Sequence, residues 1–255
     1  RNPSHSLVAS RGCKGTCTFC FKGAFGTKFR CLSPKRIVEE MFVLRDVYGA
    51  REVAFWDDSF TTDRDIVITV CNMLMEKKFD IPWSCEARVD TVDTDMLKIM
   101  KRAGCGFIAY GIESGSDRVL ASVNKKIDTK MITKVIRQTQ AVGIPIRGYF
   151  MLGFIGETEA DMFKTIRFAR TLDVDIATFT LLVPCPGSVD YVRARKSSGI
   201  FDPDFYRNRI VPEFNFLDSP VYCPEGISYQ RLIEIHKEAY KMFYYRPSLM
   251  LRELL

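Results

Sequence analysis

The sequence predicts an α/β fold built on a curved, parallel β-sheet. Short apolar segments with strand character alternate six times with segments whose apolar residues recur at helical spacing. Each connection is long enough to hold a helix, and crossovers of this kind join parallel strands with a right-handed turn. From about residue 188 the alternation stops, so we predict a core over residues 1–187 and a mainly helical extension over residues 188–255 that covers the core.

The first half of the core contains three strand–helix units. Strands are predicted over residues 6–10, 53–56 and 81–87. The first helix begins at Ser33-Pro34, where a capping hydroxyl precedes a proline at the first helical position, and it extends to Gly49. The next two helices are predicted over residues 63–78 and 93–102, and Gly104 ends the second of them.

The second half repeats this pattern. Strands are predicted over residues 107–112, 144–152 and 177–183. Asp128 caps a helix that ends at Gly143, and a glycine-rich loop over residues 153–156 leads into the acidic first turn of another helix. In the extension, an irregular aromatic stretch over residues 201–222 precedes a helix over residues 228–245.

The residues suited to chemistry follow the predicted strands. In open parallel sheets, sites lie at the carboxyl ends of the strands. The segments found there, in strand order, are a cysteine-rich loop, Asp57-Asp58, Glu86 with Arg88, Glu113-Ser114, the glycine-rich loop and residues 184–187. We therefore expect one site at this edge of the sheet.

The cysteine loop, residues 11–20, is the strongest signal in the chain. Cys13, Cys17 and Cys20 follow a C-x3-C-x2-C spacing. Three thiolates this close can converge on one inorganic centre, and soft sulfur selects zinc, cuprous copper or an iron–sulfur cluster over hard cations. A structural zinc site or an electron-transfer cluster normally has four protein ligands, so a cubane held by three cysteines leaves one iron open to another ligand.

With Phe19 just before the last cysteine, this loop resembles the signature of the radical S-adenosylmethionine enzymes. The resemblance implies that Cys13, Cys17 and Cys20 bind a [4Fe-4S] cluster whose open iron is chelated by S-adenosylmethionine. It implies reductive cleavage to a 5'-deoxyadenosyl radical that abstracts hydrogen from a substrate, with a flavodoxin- or ferredoxin-type protein as external electron donor. The fold of that family is a partial (βα)6 TIM-like barrel, which six strand–helix units fit.

The resemblance also implies residues that contact S-adenosylmethionine. Phe19 matches a position beside the adenine, and Met151 on the fifth strand is a second candidate for apolar contact with it, although both residues could simply pack in the core. The backbone after the second strand, at Asp57 and Asp58, matches the position where the family hydrogen-bonds the methionine amino group. Two adjacent acids could equally cap the following helix.

Further cofactor contacts are implied at the next two strands. Glu86, Glu113 and Ser114 match polar contacts at the ends of the third and fourth strands. Lys125 falls where a basic residue pairs with the methionine carboxylate, and a lysine there keeps the charge but lacks the bidentate fork of arginine. Three further polar residues have no assigned role: Arg88, Arg147 and Tyr149.

Several other segments resemble a subgroup whose radical domain follows an N-terminal cobalamin-binding domain. They are residues 55–58, 111–116, 156–158 and 243–247. The resemblance implies cobalamin as a further cofactor and methyl transfer to an unactivated carbon or phosphorus centre. The cobalamin-binding domain is not contained in these residues. Radical cyclisation, rearrangement or carbon–carbon coupling without methyl transfer is the alternative within the enzyme class.

Composition narrows the remaining classes. No apolar run could span a bilayer and no leader precedes the cysteine loop, so we expect a cytoplasmic protein. The aromatic extension would suit a small-molecule or lipid-like substrate, although aromatic residues also close barrels. The net charge of +6 is interpreted as spread along the chain, without aromatic interleaving, and does not indicate nucleic-acid binding. A reducing compartment fits the nine cysteines better than a disulfide scaffold.

A non-catalytic iron–sulfur or zinc module is the alternative from a different class. A fourth cysteine beside the loop would support it, and the sequence has none there. The other loop cysteines, Cys31, Cys185 and Cys223, have no partner at chelating spacing, so we expect no auxiliary cluster.

Overall fold

The computed structural model describes residues 3–23, 26–204 and 221–246. Its centre is a sheet of six parallel strands, ordered β1-β4-β5-β6-β7-β8. These strands are β1 (Ser4–Leu7), β4 (Glu52–Phe55), β5 (Trp83–Ala87), β6 (Cys105–Glu113), β7 (Ile146–Leu152) and β8 (Ile176–Leu181). Four two-residue strands complete the set: β2 (Ser10–Arg11), β3 (Arg30–Cys31), β9 (Ile200–Phe201) and β10 (Tyr222–Cys223).

The helices connect successive strands of the sheet. They are α1 (Pro34–Asp46), α2 (Arg64–Glu76), α3 (Thr94–Arg102), α4 (Asp117–Ser122), α5 (Thr129–Val142) and α6 (Glu159–Leu172). Two more follow the sheet: α7 (Val189–Ala194) and α8 (Tyr229–Tyr244). The six long strands lie in the sheet in the same order as along the chain. Because β1 does not pair with β8 among the described residues, the sheet is an open, partial barrel.

Side-chain caps fix where the helices begin. Ser33, Asp63 and Asp128 each accept a hydrogen bond from a backbone N–H in the first turn of the helix they precede. Thr158 and Asp161 form a reciprocal capping box at α6. The predicted caps at Ser33 and Asp128 are confirmed, and the cap of α2 is Asp63, five residues after Asp58.

The apolar core fills the space between the sheet and its helices. Trp83, Tyr110, Phe150 and Phe179 are among its largest fully buried side chains. Their strand neighbours point to the opposite, concave face, because side chains alternate along a strand. That face therefore has room for a site above the sheet.

Helix α8 covers the free edge of β8 with hydroxyl groups. Tyr244 Oη accepts a hydrogen bond from Ala177 N and donates one to Ala177 O, at 3.2 and 2.9 Å. One helical turn earlier, Tyr240 Oη makes the same pair of bonds with Phe179, at 3.2 and 3.1 Å. The edge groups that would otherwise lack partners are thus satisfied by side chains instead of a seventh strand.

Some local predictions are corrected. The first strand ends at Leu7 and not at residue 10, because the backbone N–H of Ala9, two residues later, donates to the Asp57 carboxylate. Residues 10–11 instead pair antiparallel with residues 30–31. This pairing joins the two ends of the segment, residues 12–29, that contains the cysteines of the loop. Cys31 and Cys223, expected in loops, lie in β3 and β10. Most of the predicted aromatic stretch, residues 205–220, and Pro247 lie outside the described residues.

Among the described residues, no helix combines the length and apolarity that crossing a membrane requires.

Candidate active site

The cysteine loop leaves the sheet through a turn that only glycine fits. Gly12 has φ +84°, and a Cβ built there would lie 2.4 Å from the backbone oxygen of Lys28. The Gly12 N–H donates to Asp58 Oδ2 at 2.9 Å. The Asp57 carboxylate accepts from Ala9 N at 2.8 Å and from the hydroxyl of Ser10. Both acidic side chains therefore hold the entry to the loop.

Backbone hydrogen bonds anchor the middle of the cysteine loop from two other elements. Thr18 N donates to Val123 O at 3.0 Å, and Asp190 N at the start of α7 donates to Thr18 O at 3.0 Å. Asn124 Nδ2 donates to Thr16 Oγ1 at 2.8 Å. The loop is thus fixed between the α4–α5 connection and the first helix after the sheet.

The three cysteines of the loop face one cavity of about 480 Å³ at the carboxyl end of the sheet. None of the nine cysteines, all of which lie among the described residues, forms a disulfide. Among the described residues, no three His, Cys, Asp or Glu side chains are placed to hold a single metal ion. Three cysteine thiols on one cavity wall are a soft donor set of the kind that binds iron–sulfur clusters.

A buried ion pair lies on another part of the cavity wall. Lys125 Nζ is 2.7 Å from Glu113 Oε1, and the two residues are 5% and 8% exposed. Gly111 leaves the space for this pair, since a Cβ there would lie 2.7 Å from Glu113 Oε1 and 3.0 Å from Lys125 Nζ. Glu113 has φ +67°, a left-handed conformation that costs about 1 kcal/mol or more for a residue other than glycine. Such strain is typical of functional sites.

Arg88 connects the cysteine loop to Lys125. Its Nε and one terminal nitrogen donate to the two oxygens of Asp90, both at 2.8 Å. The remaining donors reach Lys125 O at 2.9 Å and Cys17 Sγ at 3.6 Å. Burial lowers the pKa of the guanidinium but the bonds to Asp90 outweigh it, and the net pKa shift is upward. Gly15 permits this approach, because a Cβ there would lie 2.9 Å from the guanidinium.

The concave face supplies the other polar groups. Glu86 and Tyr149 line the cavity, and the Tyr149 hydroxyl donates to Glu86 Oε1 at 3.3 Å. Burial raises the pKa of the Glu86 carboxyl, while Tyr149 and the charge of Arg147 act in the opposite direction. Arg147 lies deeper in the barrel, with its guanidinium 5.3 Å from the centre of the Phe107 ring.

An apolar wall completes the cavity. Phe19 and Met151 both line it and pack with Phe154 and Ile155 in a small cluster separate from the main core. The ring centres of Phe19 and Phe154 are 5.6 Å apart. Lys125 Nζ lies 5.9 Å from the centre of the Phe19 ring, so the apolar wall adjoins the ion pair.

The family model of the radical SAM superfamily matches residues 7–169 of this chain. This stretch contains the cysteine loop and the strands β4 to β7. The chain belongs to the radical SAM superfamily. The cofactors of that superfamily are a [4Fe-4S] cluster and S-adenosylmethionine, and the free triad beside a buried acid–base pair fits both.

Curated relatives of this radical SAM chain include methyltransferases and a cyclase. An uncharacterized methyltransferase of Pyrococcus horikoshii is 29% identical over 99% of this chain and 54% of its own length. The anaerobic magnesium-protoporphyrin IX monomethyl ester cyclase of Rubrivivax gelatinosus is 24% identical over 94% of this chain and 42% of its own. The chain thus spans about half the length of these relatives.

The fold also matches solved structures of the superfamily. The radical S-adenosylmethionine methyltransferase TsrM of Kitasatospora setae, with cobalamin and a [4Fe-4S] cluster bound, superimposes with a TM-score of 0.70. The match covers 76% of this chain and 37% of TsrM at 16% identity, so it concerns the fold. The predicted partial barrel is compatible with this likeness.

Nine of the eleven predicted site residues share the cavity. They are Cys13, Cys17, Phe19, Cys20, Asp58, Glu86, Glu113, Lys125 and Met151. Asp57 and Ser114 do not line it. Ser114 is fully buried against α6, where its Oγ lies 3.0 Å from Thr165 Oγ1. The Asp57 side chain is bound to Ala9 and Ser10, so the backbone contact expected at Asp57 and the polar contact expected at Ser114 stay predictions.

Sequence reasoning missed several residues that hold the site together. Lys22 hydrogen-bonds the backbone oxygens of Cys13 and Gly15, and Asn124 and Asp190 anchor the loop from outside. No sequence motif indicates these residues, since each of them bonds a loop residue that is several or many positions away in the chain. Arg88 did carry a signal, as a charged residue directly after a predicted strand.

Proposed function

We propose that this chain is the catalytic domain of a cobalamin-dependent radical SAM methyltransferase. The observation that supports it is the meeting of the three free thiols, the Glu113–Lys125 pair and the Phe19–Met151 wall at one cavity. Cys13, Cys17 and Cys20 would hold the [4Fe-4S] cluster. When bound, this cluster would supply the electron that cleaves S-adenosylmethionine to a 5'-deoxyadenosyl radical.

The ion pair is suited to the methionine end of S-adenosylmethionine. This end carries an amino and a carboxylate group, and the cavity presents one carboxylate and one ammonium 2.7 Å apart. On binding, Glu113 would accept a hydrogen bond from the cofactor's amino group and Lys125 would donate one to its carboxylate. Each buried charged group would then have a polar partner on the cofactor.

The apolar wall is suited to the adenine. Phe19 and Met151 offer flat and flexible apolar surface beside Lys125. Arg88 would fix the spacing between the two ends of the site, because its donors reach both the sulfur of Cys17 and the backbone oxygen of Lys125.

The rest of the cavity would receive a small-molecule or lipid-like substrate. Glu86, Tyr149 and Thr180 line it on the side of the concave face. Since burial raises the pKa of Glu86, its carboxyl can be protonated more readily than an exposed glutamate and can hydrogen-bond substrate in either protonation state.

Methyl transfer with cobalamin is supported by likeness to relatives. The Pyrococcus relative is named a methyltransferase, and TsrM carries cobalamin. This chain spans only part of each. The N-terminal cobalamin-binding domain that the resemblance implies would therefore belong to a longer polypeptide. The nine cysteines, none of them in a disulfide, support the cytoplasm as the proposed site of action.

Radical cyclisation is the second candidate, and the likeness to the Rubrivivax cyclase favours it. Both functions share the radical-forming step and diverge in the later steps. They differ experimentally in whether the methyl group of S-adenosylmethionine reaches the product.

The test is anaerobic reconstitution, with iron and sulfide, of the longer polypeptide that carries the proposed cobalamin-binding domain. Reduction with dithionite follows in the presence of methyl-deuterated S-adenosylmethionine, with and without cobalamin. Radical formation is measured as 5'-deoxyadenosine by chromatography, and methyl transfer as deuterated methylcobalamin by mass spectrometry. Deuterium on cobalamin supports the methyltransferase. 5'-Deoxyadenosine without methylcobalamin favours the second candidate, and a cluster that yields neither product contradicts both.

A further inference from the structure

The positive charge of the chain is concentrated at its start. Residues 1–38 contain eight Lys and Arg and no Asp or Glu, whereas residues 39–255 contain 29 Lys and Arg against 31 Asp and Glu. The net charge of +6 therefore comes entirely from the segment that contains the cysteine loop. This finding corrects the interpretation that the charge is spread along the chain.

Three lysines of or near this segment have exposed side chains that form no ion pair with another described residue. They are Lys14, Lys28 and Lys126. Lys14 Nζ lies 5.8 Å from the centre of the Phe29 ring. We call Lys14, Lys28 and Lys126 the basic rim. Because these ammonium groups are exposed, their charge is free to act on a partner.

A small cleft leads from two lysines of the basic rim to Cys13. It has a volume of about 150 Å³, and Lys14 and Lys126 line it together with Cys13, Arg88 and Asp90, whose carboxylate is paired with Arg88. Cys13 and Arg88 also line the main cavity, whereas the rest of the cleft wall is different. In the proposed function the cofactor and substrate occupy the main cavity, so the cleft would let a partner approach the cysteine loop from another side.

We propose that the basic rim is the docking surface for an acidic one-electron carrier protein that reduces the cluster. The proposal rests on the proposed function, in which each cleavage of S-adenosylmethionine consumes one electron. The donor loses one electron and the cluster gains it, with no bond made or broken at the rim. Opposite charge on the two proteins would speed their encounter and orient the donor over Cys13.

An electron carrier suits this surface better than a nucleic acid. Lys14 and Lys126 line the cleft that reaches Cys13, and the three exposed lysines come from separate segments of the chain and do not form a continuous stripe in the sequence. Nucleic-acid surfaces usually combine such a stripe with aromatic groups for stacking.

The test measures cluster reduction in the absence of S-adenosylmethionine. The reconstituted chain is mixed anaerobically with the fully reduced form of a bacterial flavodoxin, an acidic donor, and loss of cluster absorbance is followed at low and high salt. Lys14→Glu, Lys28→Glu and Lys126→Glu are combined in one variant. We expect the second-order rate at low salt to fall by at least about tenfold, and the difference to vanish at about 0.5 M salt.

The matched control reverses three exposed lysines elsewhere, Lys134, Lys237 and Lys241, and changes the net charge by the same amount. Its rate should stay within about twofold of wild type. Photoreduction by uncharged deazariboflavin should be equal in all three proteins, which shows that each cluster is intact.

Three results would overturn the docking proposal. They are a wild-type rate in the rim variant at low salt, an equal loss in the control variant, and RNA retention by the rim with no change in the reduction rate. Because no S-adenosylmethionine is present, these results are independent of whether 5'-deoxyadenosine is formed, so failure of the proposed function is recognised separately.

Discussion

The cysteine loop and the sheet beneath it are stabilised in opposite ways. Within residues 11–20 only Gly12 and Thr18 are buried, and the loop is held by hydrogen bonds to Asp58, Val123, Asn124 and Asp190. In the sheet, alternate residues of β4, β5, β7 and β8 are buried against the helices. We therefore expect that substitutions in the cysteine loop leave the protein folded, and that substitutions in the core lower its stability without loss of the three cysteine ligands.

The largest expected effect falls on the loop alone. Changing Cys13, Cys17 or Cys20 to Ala should abolish cluster assembly, measured as bound iron and sulfide, and with it all 5'-deoxyadenosine. The free energy of unfolding of the protein without cluster should change by less than about 1 kcal/mol, because these side chains are not part of the core. Cluster assembly with only two of the three thiols would contradict the site.

The opposite effect is expected in the core. Trp83 is 1% exposed, and its Nε1 donates to Ala103 O at 2.8 Å. Trp83→Ala should lower the free energy of unfolding by about 3–5 kcal/mol in urea denaturation. Iron content per folded molecule should stay at the wild-type value, since Trp83 lies at the start of β5, away from the site. A proportional loss of iron would show that loop and core are coupled.

Glu157, at the edge of the site, is expected to make the stability of the protein depend on pH. It is buried at the end of the glycine-rich loop, where burial raises its pKa to about 8 although Gly153 N and Phe154 N donate to it. The folded state thus retains a proton that the unfolded chain releases near pH 4.5. The contribution of Glu157 to the free energy of unfolding is complete below pH 4.5. It is lost as the pH rises from there through about 8, by up to about 1.4 kcal/mol per pH unit.

The matched variant is Glu157→Gln, whose side-chain oxygen can accept the same two hydrogen bonds. Thermal unfolding of wild type and variant between pH 5 and 8 should show a decline in wild type that the variant lacks. Parallel curves would mean that Glu157 is ionised in the folded protein.

Lys125 should separate cofactor binding from both cluster assembly and folding. Lys125→Met leaves Glu113 without its cation and removes the partner for a carboxylate. Affinity for S-adenosylmethionine should fall by about 10- to 100-fold, measured by equilibrium binding to the reconstituted protein, with iron content unchanged. Lys125→Arg, which keeps the charge, is the control. Wild-type affinity in the Met variant would remove Lys125 from the site.

The smallest effect concerns Arg88. Its bond to Cys17 Sγ stabilises negative charge on the sulfur, which increases when the cluster is reduced. Arg88→Gln should lower the midpoint potential of the cluster, by about 60 mV if the bond strengthens by about 1.4 kcal/mol on reduction. Redox titration followed by electron paramagnetic resonance measures it. Asp90→Asn is the companion, and an unchanged potential in both variants would limit Arg88 to packing.

Sequence reasoning succeeded where the signal is local. The strand–helix alternation, the caps at Ser33 and Asp128 and the Cys13–Cys20 spacing depend on residues close in the chain, so fold class and triad could be predicted. The carboxyl-end rule then placed Glu86 and Glu113 at one edge of the sheet, and the family resemblance added Lys125, which lines the same cavity. The rule could not indicate that Asp57 turns its side chain toward Ala9, because that choice depends on which buried donor lacks a partner.

The sequence by itself determined that this chain has an α/β sheet and three cysteines able to bind one centre. Only the tertiary structure decided which polar residues share the cavity, how Arg88 joins the cysteine loop to Lys125, and that Lys14 and Lys126 line the same cleft. These features depend on contacts between segments far apart in sequence. Their geometry is fixed by packing and by the need to pair buried polar groups, which no local pattern records.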